Sequence, residues 1–142
     1  MKRVLTTECL AGVFLATLVF SSVAFAEPKH TDDSLDDVKR NIAENKAVLV
    51  DVREQREWDR GHVKDALLVP LSHLNQVAKD PEAKKALMEK LPKDRIIYCH
   101  CAKGARALLA GEFLEGLGFT VRPLKPGFAE LQDAGFDTES KP

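Results

Sequence analysis

Apolar positions recur at helical spacing at the start of the ordinary part of the chain. In "SLDDVKRNIAENK" (34–46), Leu35, Val38 and Ile42 fall on one face, and Ser34 with Asp37 three residues on has the form of a capping box. The period then changes: "AVLVDV" (47–52) is a continuous β-rich apolar run, the pattern of a strand buried on both faces of a parallel sheet. "REQREWD" reads as a short helical turn ended by Gly61, and "ALLVP" as a second strand stopped by Pro70. "LSHLNQVAKDPEAKKALMEKL" returns to helical spacing, with Pro81 dividing it into two helices. "RIIYC" predicts a third strand. "ARALLAGEFLEGLG" predicts a helix with Leu108, Leu109, Phe113, Leu114 and Leu117 inward and Gly118 as its stop. "FTVRPL" and "FAELQDAGF" close the chain as a strand and a helix. Strands alternating with helices predict an α/β fold, a mostly parallel central sheet of about five strands with helices on both faces. Ligands of such sheets sit beyond the carboxyl ends of the strands. Three polar loops fall there: "DVR" after the first strand, the loop at Cys101 after the third, and the turn after Pro123.

Composition adds a boundary. With 44% apolar and 30% charged residues and a formal net charge of −1, the chain reads as one ordinary globular domain with no electrostatic reason to bind nucleic acid. The first 26 residues differ from the rest: Lys2 and Arg3 precede an apolar run from Leu10 to Phe20, and "SSVAFA" supplies small residues at Ala24 and Ala26. This is the pattern of a secretory signal peptide cleaved after Ala26, its apolar core being too short for a membrane span. Cys9 precedes that core and leaves with it. The expectation is an exported protein, periplasmic, with no membrane attachment after cleavage. A polar connector, "EPKHTDD", occupies residues 27–33.

Candidate chemistry concentrates in "YCHCAKGARA" (98–107), which holds every cysteine beyond the leader. Cys101 leaves a strand, Gly104 permits a tight turn, and Arg106 opens a helix, so successive backbone N–H groups of Ala102, Lys103, Gly104, Ala105 and Arg106 can point inward at the sulfur as an anion nest. The helix N-terminus and the two cations, Lys103 and Arg106, favour a thiolate there. Cys99, two residues back on the strand, shares the face of Cys101 at roughly 7 Å between Cα atoms, too far for a disulfide unless the backbone bends. It reads either as a small buried apolar residue or as a resolving thiol in a redox cycle. Zinc is disfavoured, because structural sites want wider cysteine spacing and a fourth ligand. Behind the loop, Asp51 and Arg53 read either as a generic ion pair or as a support in which Asp51 accepts the loop's N–H groups or pairs with an arginine. His100 reads as a strand-end residue, Trp58 as a cap on the core, and His62 as a brace for the turn before the second strand.

Two separated motifs carry a family resemblance. In "LVDVREQREWDRGHVKDALLVP", Asp51, Val52, Arg53, Glu57, Trp58, Gly61, His62 and Pro70 stand in order, and in "IIYCHCAKGAR" four residues separate Cys101 from Arg106. Together these resemble the rhodanese-like sulfurtransferases over about Ser34 to Phe136. The cysteine phosphatases, the nearest chemical rival, use a longer spacing between cysteine and arginine than the four residues found here. The resemblance places a single rhodanese-like domain at 34–138, with a short tail at 139–142. It implies that Cys101 takes up a sulfane sulfur as a persulfide from thiosulfate and passes it to cyanide or a thiol, with no cofactor and no metal. Lys103, just before the loop glycine, accords with thiosulfate-type members rather than mercaptopyruvate-type ones. The sequence departs from the family pattern at Asp65-Ala66, where Gly-Ala is usual, at Pro126-Gly127, where Gly-Gly is usual, and at Leu131, where Trp is common. A rhodanese fold that binds or senses sulfur or docks a partner without efficient catalysis is the alternative. Retention of Cys101, Lys103 and Arg106 favours the enzyme.

Overall fold

The computed structural model describes residues 27–140. The expected leader, residues 1–26 with Cys9, lies outside the described residues, as do the last two residues of the expected tail. The chain opens on the predicted cap: the Ser34 hydroxyl accepts from Asp37 N–H at 3.1 Å, and the Asp37 carboxylate accepts from Ser34 N–H at 3.3 Å, starting α1 (Leu35–Ala43). Then follow β1 (Ala47–Asp51), α2 (Gln55–Arg60), β2 (His62–Val63) and β3 (Leu67–Leu68). Pro81 does divide the next helical stretch, into α3 (Leu71–Val77) and α4 (Pro81–Lys90), with the Asp80 side chain accepting from Glu82 N–H at the second start. The remainder is β4 (Ile96–His100), α5 (Ala105–Gly116), β5 (Val121–Pro123), α6 (Phe128–Asp133) and β6 (Thr138–Glu139).

The main sheet is parallel, in the order β3-β1-β4-β5, with Val50 opposite Cys99, Asp51 opposite His100 and Cys99 opposite Pro123. It has four strands rather than about five. The end of the connector, Thr31 to Asp33, lies against β5 but contributes one ladder-like bond, Thr31 N–H to Pro123 O at 2.8 Å. A segment this polar has too little apolar surface to add a full strand. The short β2 and β6 pair antiparallel by themselves, His62 with Glu139 and Val63 with Thr138, so regular structure runs one residue past 138.

Alternation along the strands sends side chains to two cores. Ile97, Cys99 and Cys101 join Val50, Leu74, Val77, Leu87, Ala107, Ala110 and Leu114, under α3, α4 and α5. Leu49, Tyr98 and Leu124 join Val38, Val63 and Leu131, under α1 and α6. One expected inward residue is wrong: Leu109 is 57% exposed. The small residues Ala107, Ala110 and Gly111 form the buried stripe of α5 instead, and they let the helix sit close on β5. α5 also stops two residues before Gly118, which follows the helix at φ +89°.

Candidate active site

The carboxyl ends of β1 and β4 lie side by side, so Asp51, Arg53, His100 and Cys101 are brought to one end of the sheet. Beyond β4 the backbone turns through Cys101–Gly104 into α5, the longest helix among the described residues. Gly104 has φ +87°, a left-handed conformation that a side chain strains, and it directs its N–H at Cys101 Sγ, 3.1 Å away. A Cβ there would meet Lys125 O at 2.6 Å. The nest predicted for the sulfur therefore has at least one amide aimed at it, at a helix start where the macrodipole favours negative charge. Ala102, Lys103 and Ala105 are exposed around the loop, whereas Cys101 is 1% exposed.

The turn after Pro123 closes over the loop. Phe128 N–H donates to Cys101 O at 2.9 Å, and Gly127 comes so close that a Cβ would stand 1.8 Å from Ala102 O. Only glycine fits at 127, which explains why, of the usual Gly-Gly, the second is kept while Pro126 replaces the first. At the other departures, Asp65 adopts φ +62°, a left-handed geometry that Asp tolerates better than most residues, and Leu131 is fully buried.

Arg106 does not face the sulfur as a free cation. Its guanidinium grips Glu57 of α2 with two bonds, Nη1 to Oε2 at 2.7 Å and Nη2 to Oε1 at 2.8 Å. The Arg106 hydrogen bonds lower the Glu57 carboxyl from 4.5 to about 2 against the opposing effect of burial, and Glu57 raises Arg106 in return. Locally the pair is neutral, so its contribution is to tie α5 to α2. Glu57 is the residue beside the loop that site reasoning missed, although it stood in the motif as the Glu of Glu-Trp. Lys103 is left as the exposed cation of the loop itself.

Of the two roles considered for Asp51, pairing with an arginine is the one observed. It is fully buried and accepts from Arg53 N–H at 2.9 Å, from Arg53 Nε at 3.0 Å and from Arg53 Nη2 at 2.7 Å. Arg53 Nη2 also donates to Gly61 O at 2.8 Å, and its guanidinium lies 4.2 Å from the Phe128 ring centroid. No loop amide is bonded to Asp51 among the described residues; its connection to the loop runs through Arg53 to Phe128. His100 is fully buried, 3.6 Å from Asp51 Oδ2, with neither ring nitrogen hydrogen-bonded, and burial lowers its pKa, leaving it neutral. Trp58 and His62 stack at 3.7 Å, and His62 Nδ1 donates to Trp58 O at 3.0 Å across the turn. Cys99 and Cys101 are both unbridged. Burial pushes the Cys99 thiol far up, so it stays protonated and closed to solvent.

A cavity of about 250 Å³ lined by Arg53, Glu57, Arg60, Gly61 and Phe128 adjoins the loop, sharing Glu57 with Arg106 and Phe128 with the Cys101 carbonyl. A second cavity, of about 500 Å³, lies at the opposite, amino end of the sheet beside Ala47 and Arg95, and none of the loop residues line it.

A family model described as "Rhodanese-like domain" matches residues 34–134. The chain belongs to the rhodanese-like domain family. Among related proteins, the Bacillus subtilis (strain 168) protein YqhL, itself uncharacterized, is 26% identical over 117 residues, 82% of this chain and 85% of that one. The human thiosulfate:glutathione sulfurtransferase is 32% identical over 92 residues, 61% of this chain and 79% of that one. Among solved structures, human single-domain sulfurtransferase TSTD1 superposes with a TM-score of 0.60 at 29% identity, covering 71% of this chain and 94% of that one. At family level this rhodanese-like domain is of sulfurtransferase type, and its parallel sheet, enclosed by helices, is the rhodanese fold.

Proposed function

We propose that this rhodanese-like domain moves a sulfane sulfur from thiosulfate to a thiophilic acceptor, cyanide or a thiol, through a persulfide on Cys101. The observation that carries the reading is the 3.1 Å bond from Gly104 N–H to Cys101 Sγ at the start of α5, which stabilises anionic sulfur where a nucleophile is needed. In the first half-reaction the Cys101 thiolate attacks the outer sulfur of thiosulfate, the S–S bond of the donor breaks, and sulfite leaves with the bonding pair. In the second, an acceptor thiolate or cyanide attacks the outer persulfide sulfur and Cys101 departs as the thiolate. Total charge is conserved in each step. Because Cys101 is 1% exposed, the donor has to present its terminal sulfur end-on, with its sulfonate left at the rim beside Lys103. The nearby cavity, with Arg53 and Arg60 in its wall, suits the acceptor. Cys99 serves as packing in this reading. Export to the periplasm completes the proposal, supported by the charged, apolar and small-residue order of residues 1–26.

Sulfite release from thiosulfate, with cyanide or dithiothreitol as acceptor, tests the activity. Intact mass after thiosulfate should rise by about 32 Da, one sulfur, on the covalent mechanism. Cys101→Ser should abolish both signals while Cys99→Ser keeps them. A mass gain that follows Cys99 instead would overturn the assignment.

A further inference from the structure

The segment before the family-matched region reaches the loop. His30 Nε2 lies 3.1 Å from Gly104 O, a contact across 74 positions of sequence, and residue 30 precedes the match that begins at 34. A carbonyl can only accept, so Nε2 carries the proton and donates. The segment is pinned immediately after this contact: Thr31 N–H bonds Pro123 O at 2.8 Å, and Asp33 accepts from Tyr98 Oη at 2.5 Å and from Arg122 Nη1 at 2.7 Å. The Tyr98 hydrogen bond is the main reason the Asp33 carboxyl stays below its ordinary range, so the anchor is a charged one near neutral pH.

Gly104 is thus held through both of its backbone polar groups. Its N–H is given to Cys101 Sγ, and its carbonyl is taken by His30 and, at 3.3 Å, by Leu108 N–H of α5. In a planar trans peptide the C=O and the following N–H point in opposite directions. Holding the Gly104 carbonyl toward His30 therefore turns the Ala105 N–H away from it, out of the start of the helix. A glycine at φ +87° has no side chain to hold that peptide plane by itself.

We infer that His30 is a positioning residue for the sulfur-transfer loop: its bond to Gly104 O holds the left-handed Gly104 so that its N–H stays aimed at the anionic sulfur of Cys101. This rests on Cys101 being the nucleophile. The polar connector is then part of the working site, supplied from outside the family-matched residues. A chain cut immediately before Ser34 would keep the family domain and lose the contact.

The test uses the same protein with His30→Ala and His30→Gln, the glutamine restoring an N–H donor of similar reach. Alkylation of Cys101 by iodoacetamide at neutral pH, read by intact mass, needs no sulfur donor, so its result is independent of whether thiosulfate is the donor. His30→Ala should react about three- to tenfold more slowly, the factor that one ordinary hydrogen bond supplies, and His30→Gln should recover most of the rate. Steady-state turnover with thiosulfate should show the loss in kcat rather than in KM. Equal alkylation rates for wild type and His30→Ala overturn the inference, and so does an equal loss in both variants, which would mark ring packing rather than hydrogen bonding. A slowed alkylation rate with no sulfite release from the wild type would leave the positioning role standing and remove the thiosulfate reading.

Discussion

Replacing Glu57 by glutamine keeps the shape of the side chain and one acceptor for Arg106 but removes the negative charge. Moving the Glu57 carboxyl from 4.5 to about 2 corresponds to about 3 kcal/mol at 1.36 kcal/mol per pK step. The two side chains are 30% and 32% exposed, so water and salt screen the pair, and about 1 kcal/mol is the magnitude to expect at neutral pH. For a domain of this size that is a fall in Tm of about 4 °C. The sign with pH follows from the depressed value: the stabilisation is fully present above 4.5 and is lost as pH falls toward about 2. The deficit of Glu57→Gln should therefore be largest at neutral pH and vanish near pH 2. Urea unfolding followed by Trp58, the single tryptophan of the chain, reads this across a pH series, and Trp58 itself sits on α2 beside Glu57. Activity should fall as well, because Arg106 ties α5 to α2 less firmly with one neutral acceptor than with a carboxylate. A deficit below about 0.3 kcal/mol at neutral pH, or one that persists unchanged into acid, would refute the coupling.

Gly127→Ala should abolish sulfur transfer and cost more than about 2 kcal/mol, since its methyl would stand 1.8 Å from Ala102 O; a Tm within a degree of wild type would contradict the close approach. Arg53→Ala should cost about 3–5 kcal/mol by leaving the Asp51 carboxylate buried without its partner, measured by urea unfolding. Asp65→Gly should raise Tm slightly or leave it unchanged, because glycine relieves the left-handed φ of +62° at that turn; a clear fall in Tm would point to an unrecognised contact of the carboxylate.

The order of elements was readable because each rests on short-range physics. The Ser34 and Asp37 side chains cap a helix by accepting from each other's backbone N–H, Pro81 opens one at the position where its missing N–H costs nothing, and a run such as "AVLVDV" has no polar face to offer solvent. The spacing of Cys101, Gly104 and Arg106 likewise identified the loop, since four residues of backbone determine how a strand can turn into a helix. Periodicity alone misplaced Leu109, because helical spacing says which residues share a face but not which face meets a sheet. Close contact with β5 selected the stripe of Ala107, Ala110 and Gly111 instead.

What the tertiary structure decided is the pairing of charges and donors across long sequence distances. Arg106 could have faced the sulfur, but Glu57, 49 positions away, neutralises it; Asp51 could have held the loop, but Arg53 fills its oxygens. His30 gave no periodic or motif signal, and only the docking of its segment along β5 brings it to Gly104. Short-range order is encoded in neighbouring residues and can be read from them. Which of several compatible partners a buried or half-buried charge takes depends on the packing of whole helices, and that is settled only when the cores close.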